Sequence, residues 1–243
     1  MLKIERLTKS FGGLRVFDGL DLEVGDGELR CIIGPNGTGK TTLFNMITGA
    51  IKPDGGRILL RGQEIGGKQV HRISRLGVGR KFQAPSIFED LTVMENLLTG
   101  AAGHERVAGL IWSRGRRRHL ERAEEVLQVL QLGERRNDRA GDLSHGEKQW
   151  LEIGVVMLND PDLILLDEPT AGMTLAETAR TADLLKTAFR GKTTIVIEHD
   201  IAFVRRLRST VTVLYRGTVM RQGSFEEIAN DPAVRSVYLG EEV

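Results

Sequence analysis

Cysteine is almost missing from this 243-residue chain: Cys31 stands alone, inside the apolar run Leu29-Arg30-Cys31-Ile32-Ile33. An intrachain disulfide is excluded, and a reducing compartment is the expectation. Cys31 itself reads as a small buried hydrophobe. Long hydrophobic runs are missing too. Apolar runs such as residues 163–166 and 195–197 have the length of buried strands, against the roughly 20 residues needed to cross a bilayer. Charge of one sign is also lacking, because a formal net charge of +1 creates no global field for nucleic acid or an anionic membrane. The opening Met1-Leu2-Lys3-Ile4-Glu5-Arg6 alternates like a strand and lacks the pattern of a secretory signal. A cytoplasmic location follows as an expectation, with any attachment to a membrane made through a partner. Internal repeats and low-complexity linkers are absent as well.

What remains is an ordinary globular composition, 40% hydrophobic and 28% charged, with enough chain for one large domain and its core. Residues 3–11, 16–24 and 28–33 read as strands, with a turn at Asp26-Gly27. A helix is expected from about 40 to 48, then a turn at Pro53-Asp54-Gly55-Gly56 and a strand at 57–60. The middle changes period. Leu120, Ala123, Val126, Leu127 and Leu130 recur at helical spacing before Gly133, and a second helix covers about 147–159, ended by Pro161. Strands at 163–166 and 193–197 flank a helix at about 174–189, and such alternation predicts a mostly parallel, covered sheet. A hairpin over 211–222, turning at Arg216-Gly217, and two short helices close the chain. The expected fold class is therefore α/β, with a helical subdomain (residues 83–160) inserted into a core made of 1–82 and 161–243.

The sharpest motif is Gly34-Pro35-Asn36-Gly37-Thr38-Gly39-Lys40-Thr41, followed by Thr42, lying between an apolar strand and a helix. That context gives the pattern G-x-x-x-x-G-K-[ST] its mechanism: backbone N–H groups and a helix N-terminus close round phosphates. Lys40 is expected to reach the β- and γ-phosphates and the Thr41 hydroxyl to ligate Mg²⁺. An acidic residue at the end of a buried strand should supply the other half of an ATP site. Leu163-Ile164-Leu165-Leu166-Asp167-Glu168 offers two. Asp167 suits the metal, and Glu168 suits a general base acting on water.

With those two motifs placed, the chain resembles an ATP-binding subunit of an ABC transporter along its whole length. The resemblance implies the P-loop fold of that family, with an N-terminal antiparallel β part. In Lys9-Ser10-Phe11-Gly12-Gly13 it makes Phe11 the platform for the adenine ring, and in Lys81-Phe82-Gln83 it makes Gln83 a contact of Mg²⁺ and the attacking water. Leu143-Ser144-His145-Gly146-Glu147 resembles the family's L-S-G-G-Q signature, with His145 and Glu147 as departures. In the family this loop serves the site of the opposite subunit. Ser144-x-x-Glu147 is also a capping box, and a capped helix N-terminus is itself a phosphate-binding surface. Ala171-Gly172-Met173-Thr174 stands where S-A-L-D is common, and Thr174-x-x-Glu177 reads as another box. His199, in Ile197-Glu198-His199-Asp200, resembles the histidine that bonds the γ-phosphate. The basic run Arg114, Arg116, Arg117, Arg118, His119 lacks interleaved aromatics apart from Trp112, and reads as a solvated face of the helical subdomain without a nucleic-acid role, with lipid head groups or a partner as the alternative.

The resemblance implies an ATPase bound to ATP and Mg²⁺, paired with a second ATPase subunit as a homo- or heterodimer. It would dock on transmembrane permease subunits at the inner face of the cell membrane, and would meet a solute-binding protein only indirectly. Phe11-Gly12-Gly13-Leu14, residues 168–173 and residues 231–240 are shared with the branched-chain amino acid importer group. Within that group, residues 28–33, 79–83 and 148–154 look most like the urea-importer subunit, so urea or a short-chain amide is the first expectation. A branched-chain amino acid importer and a lipopolysaccharide-transport ATPase are the alternatives. A non-transport ATPase acting on DNA or ribosomes lacks its expected long coiled coil and second phosphate loop.

Overall fold

Alternating residues early in the chain and unbroken apolar runs later give two sheets of different kinds. The computed structural model describes residues 1–81, 87–102 and 113–239. Its first part supplies β1 (Leu2–Phe11), β2 (Leu14–Val24), β3 (Leu29–Ile33), helix α1 (Lys40–Ile47), β4 (Gly55–Leu60) and β5 (Gln63–Glu64). Four of these strands form an antiparallel sheet of order β2-β1-β4-β5. β3 belongs instead to the second sheet.

The chain continues through α2 (Val70–Arg75), β6 (Val78–Lys81), α3 (Val93–Ala102), α4 (Ser113–Leu130), α5 (His145–Leu158) and β7 (Leu163–Asp167). It ends with α6 (Leu175–Ala188), β8 (Thr193–Ile197), α7 (Ile201–Leu207), β9 (Thr210–Tyr215), β10 (Thr218–Gly223), α8 (Phe225–Asn230) and α9 (Pro232–Leu239). The second sheet has the order β10-β9-β3-β8-β7-β6, parallel throughout except for the terminal β9–β10 hairpin.

Every residue of β7 and β8 is buried, as expected for strands covered on both faces. The pleat divides their side chains. Leu163, Leu165, Ile195 and Ile197 face a core shared with α1 and the antiparallel sheet. Ile164, Leu166 and Val196 face the opposite core, built with α3, α4, α5 and α6. Burial of each such side chain contributes about 1.5–3 kcal/mol. The register pairs Ile32 and Asp167 with Ile197, and Lys81 with Leu166. The carboxyl ends of β3, β8, β7 and β6 thus lie side by side, which gathers the loops that follow them along one edge.

Two charged side chains of the short strand β6 are buried and paired. Lys81 Nζ lies 3.2 Å from Glu152 Oε2 of α5, with side-chain exposures of 2% and 4%. Arg80 Nη2 lies 3.1 Å from Asp167 Oδ2. Neither β6 nor α2 and α3 stand out in the sequence. The helix expected from the 120–130 periodicity starts seven residues earlier, at Ser113. In the basic run, Arg117 and Arg118 are exposed, and Arg117 pairs with Glu121 one turn on at 2.8 Å. The side chains of Arg114 and Arg116 lie outside the described residues. Cys31 is fully buried, and burial pushes its thiol well above the ordinary range.

Candidate active site

The loop between β3 and α1 is shaped by glycine at its two tightest points. Gly39 sits at φ 94°, and a Cβ there would lie 2.6 Å from Val16 and 2.7 Å from Phe17 of β2. At Gly34 a Cβ would meet the Leu214 carbonyl at 2.3 Å. Neither position admits a side chain. Gly39 is the N-cap of α1 and no side chain caps the helix, so the first-turn N–H groups are left for a ligand. Lys40 is 8% exposed and folds back over the loop, where its ammonium donates to the carbonyls of Gly34 at 2.7 Å and Pro35 at 3.0 Å. Burial pulls that ammonium below the usual lysine range, against the opposing pull of Glu168 and Asp167. Thr38 closes the loop by donating to the Pro35 carbonyl at 3.0 Å. Asn36 and Gly37 are exposed, and Thr41 and Thr42 are half-buried.

Asp167 ends β7 with no exposed surface. Its Oδ2 accepts from Arg80, whose other nitrogen donates to Asn45 Oδ1 of α1 at 2.7 Å. Its Oδ1 is buried without a hydrogen-bond partner. Burial pushes the carboxyl above the ordinary aspartate range, and Arg80 opposes that push. A buried carboxylate oxygen left in this state fits a divalent cation or its bound water. Oxygen donors from Asp167 and Thr41 suit Mg²⁺, which keeps several waters of its own.

Glu168 follows with a left-handed φ of 47°, its N–H held by the Ile197 carbonyl at 2.9 Å. Its carboxylate is about one-third exposed, and Oε1 lies 3.6 Å from His199 Nδ1. The structure therefore brings Glu168 and His199 together from adjacent strand ends. Glu198, which directly follows β8 and precedes His199, is 1% exposed.

The signature loop has other neighbours. Ser144 and Glu147 form the expected capping box, with Glu147 N–H donating to Ser144 Oγ at 3.2 Å and Ser144 N–H to Glu147 Oε2 at 2.8 Å. His145 Nε2 donates to the Ala171 carbonyl at 2.8 Å, and Arg135 donates to Glu147 at 3.3 Å. Gly146 is buried against Glu177, where a Cβ would lie 2.3 Å from Oε1. Among the described residues, the loop's hydrogen bonds run to these groups and not to residues 34–42. Thr174 and Glu177 complete the second expected box.

Phe11 is 45% exposed at the end of β1, with the Lys9 ammonium 5.2 Å from its ring centre. It is a surface aromatic and not a core residue. Asp54 anchors this end of the strand, accepting from Lys9 Nζ and Ser10 N–H, both at 2.7 Å. The hairpin it belongs to continues into Val16 and Phe17, which pack on the phosphate loop. Gln83 lies outside the described residues. Three participants escaped the sequence reading: Arg80, Asn45 and Glu198. None of the three carries a local signal: Arg80 stands between Gly79 and Lys81, Asn45 lies inside the first helix, and Glu198 follows the end of β8.

The ABC transporter family model matches residues 17–171, and a model described as branched-chain amino acid ATP-binding cassette transporter matches 222–243. The chain is 37% identical to LivG of Escherichia coli K12, a high-affinity branched-chain amino acid transport ATP-binding protein, covering 99% of this chain and 98% of that one. BraF of Pseudomonas aeruginosa, of the same description, is likewise 37% identical with 99% and 98% covered. Among solved structures, the ADP conformation of MJ1267, an ATP-binding cassette of an ABC transporter, superposes with a TM-score of 0.88 at 32% identity, covering 99% of each chain. The dimeric structure of MJ0796, a bacterial ABC transporter cassette, gives 0.79 at 26% identity, covering 93% of this chain and 99% of that one.

Proposed function

Because the chain belongs to the ABC transporter family of ATP-hydrolysing transport subunits, we propose that it drives import of a branched-chain amino acid through membrane permease subunits, as one of a pair. The supporting observation is the gathering of Lys40, Asp167, Glu168 and His199 at the ends of neighbouring parallel strands, with Glu168 and His199 3.6 Å apart. Lys40 and the first-turn N–H groups of α1 take the phosphates of ATP. Phe11 supports the base. Thr41, Asp167 and Gln83 would hold Mg²⁺, which would supply neutralisation of phosphate charge. Glu168 accepts the proton of the attacking water, and His199 holds that water and the terminal phosphate in line.

The pairing follows from the signature loop, whose bonds run away from its own phosphate loop. Ser144 and Gly146 then serve a partner's nucleotide; MJ0796, a bacterial ABC transporter cassette, is dimeric in its solved structure. No described helix is long and apolar enough to cross a membrane. In this reading the permease holds the chain at the inner face of the cell membrane.

Residues 28–33, 79–83 and 148–154 first pointed to urea. The 37% identity to LivG and BraF and the match of the terminal segment weigh instead for branched-chain amino acids. Urea is the second reading. Uptake of labelled leucine and of labelled urea, in cells with and without the chain, separates the two: lost urea uptake with intact leucine uptake refutes the first. For the chemistry, Glu168→Gln should keep ATP binding, trap an ATP-bound pair in sedimentation, and slow turnover about 10²–10⁴-fold. A fully active variant refutes the assignment of the base.

A further inference from the structure

We propose that Glu198 is a positioning residue that locks the Glu168 and His199 loops into a single catalytic unit, an inference that rests on the roles just given to those two residues. Its carboxylate is buried, and among the described residues each hydrogen bond it accepts comes from one loop or the other. Oε1 accepts from the Thr170 N–H at 3.0 Å and the Thr170 hydroxyl at 2.5 Å. Oε2 accepts from the His199 N–H at 3.0 Å and the Asp200 N–H at 3.4 Å. One oxygen thus serves the loop after β7 and the other serves the loop after β8. Thr170 is itself 6% exposed, so its two bonds to Glu198 are shielded from water.

Glu168 is held in a conformation it would not choose. A non-glycine residue at positive φ stores strain, and the proline that follows restricts it further. Such a conformation persists only where its surroundings over-determine it. Two fastenings do so here. The Glu168 N–H is bonded to the Ile197 carbonyl at 2.9 Å, and two residues on Thr170 is bonded twice to Glu198. The same carboxylate fixes the backbone of His199, so the 3.6 Å approach between the imidazole and Glu168 is set by a single side chain. Four donors converge on two oxygens, and only a carboxylate of this length accepts on both. Glutamine would present its NH₂ to one pair of donors and release one loop. Aspartate would fall one methylene short.

The test uses ATP turnover by the purified chain in Glu198→Gln, Thr170→Val and Thr170→Ser. We expect kcat to fall at least about tenfold in Glu198→Gln and severalfold in Thr170→Val, with KM for ATP within about twofold in both. Thr170→Ser, which keeps the hydroxyl, should turn over like the parent. Added to His199→Ala, Glu198→Gln should slow the enzyme by less than about twofold, because residues acting as a unit are not additive. A folded Glu198→Gln with parental kcat, or losses that multiply in the double variant, overturns the proposal. If Glu198→Gln does not fold, parental kcat in Thr170→Val overturns it. An active Glu168→Gln would instead refute the underlying reading of the site, so the two failures are distinguishable.

Discussion

Replacing Glu152 by glutamine would leave the Lys81 ammonium inside the protein without its counter-charge. The two groups are 3.2 Å apart with side-chain exposures of 2% and 4%, so water cannot take over from the lost carboxylate. Breaking a buried pair from one side costs about 3–5 kcal/mol, because a desolvated charge is stranded. In a chain of this size each kcal/mol moves the unfolding midpoint by about 2–4 °C. Glu152→Gln should therefore lower the midpoint by about 6–20 °C in the absence of nucleotide. The double variant Lys81→Met, Glu152→Met should recover most of that loss, since well-packed apolar groups replace such pairs at little cost. Thermal melts of the three proteins followed by circular dichroism decide the matter. A drop of under about 2 °C in the single variant, or a double variant as unstable as the single, refutes the account of this pair.

Phe11→Ala should raise KM for ATP about 2–10-fold with kcat unchanged, because the ring is half-exposed and carries little of the core; an unchanged KM removes Phe11 from the site. Ser144→Ala should lower the unfolding midpoint by about 2–4 °C through loss of the α5 cap. Ser144→Asp should restore that midpoint, since aspartate caps well, yet abolish ATP-driven pairing in sedimentation by repelling the partner's phosphates. Pairing that survives in Ser144→Asp means the loop does not meet the partner's nucleotide. Asp54 has its carboxyl held below the ordinary range by the Lys9 ammonium and the Ser10 N–H. A lowered folded pKa gives stability that is present above the unfolded value of about 3.9 and lost as pH falls through the folded one. The gap in urea midpoint between parent and Asp54→Asn should be open at pH 7 and close below about pH 4. A gap that stays constant across that range contradicts the anchor.

Contacts between residues close in sequence were legible and contacts between distant ones were not. The phosphate loop, the boxes at Ser144 and Thr174, and the buried strands at 163–167 and 193–197 depend on a few consecutive residues, so composition and spacing revealed them. β6 was hidden because Val78-Gly79-Arg80-Lys81 reads as polar and flexible. Its two charges are buried only because partners 87 and 71 residues further on neutralise them. Glu198 was visible as a letter beside His199, but Thr170, 28 residues earlier, gives it a purpose. The solute was harder still, since segments that resembled one importer sit in a chain whose relatives serve another.

Among the described residues, four helices begin with the same device, a hydroxyl residue capped reciprocally by a glutamate three positions on, at Thr92, Ser144, Thr174 and Ser224. They differ in where the hydroxyl hydrogen goes. Thr92, Thr174 and Ser224 each hand it to their own glutamate, at 2.9, 2.8 and 2.9 Å. Ser144 accepts from Glu147 N–H in the same way, but its hydrogen is committed to no acceptor among the described residues. Three of the boxes are closed circuits and the fourth has one open terminal. The same exposed serine thus fastens its helix with its lone pairs and keeps a donor in hand that no oxygen of the described residues takes up.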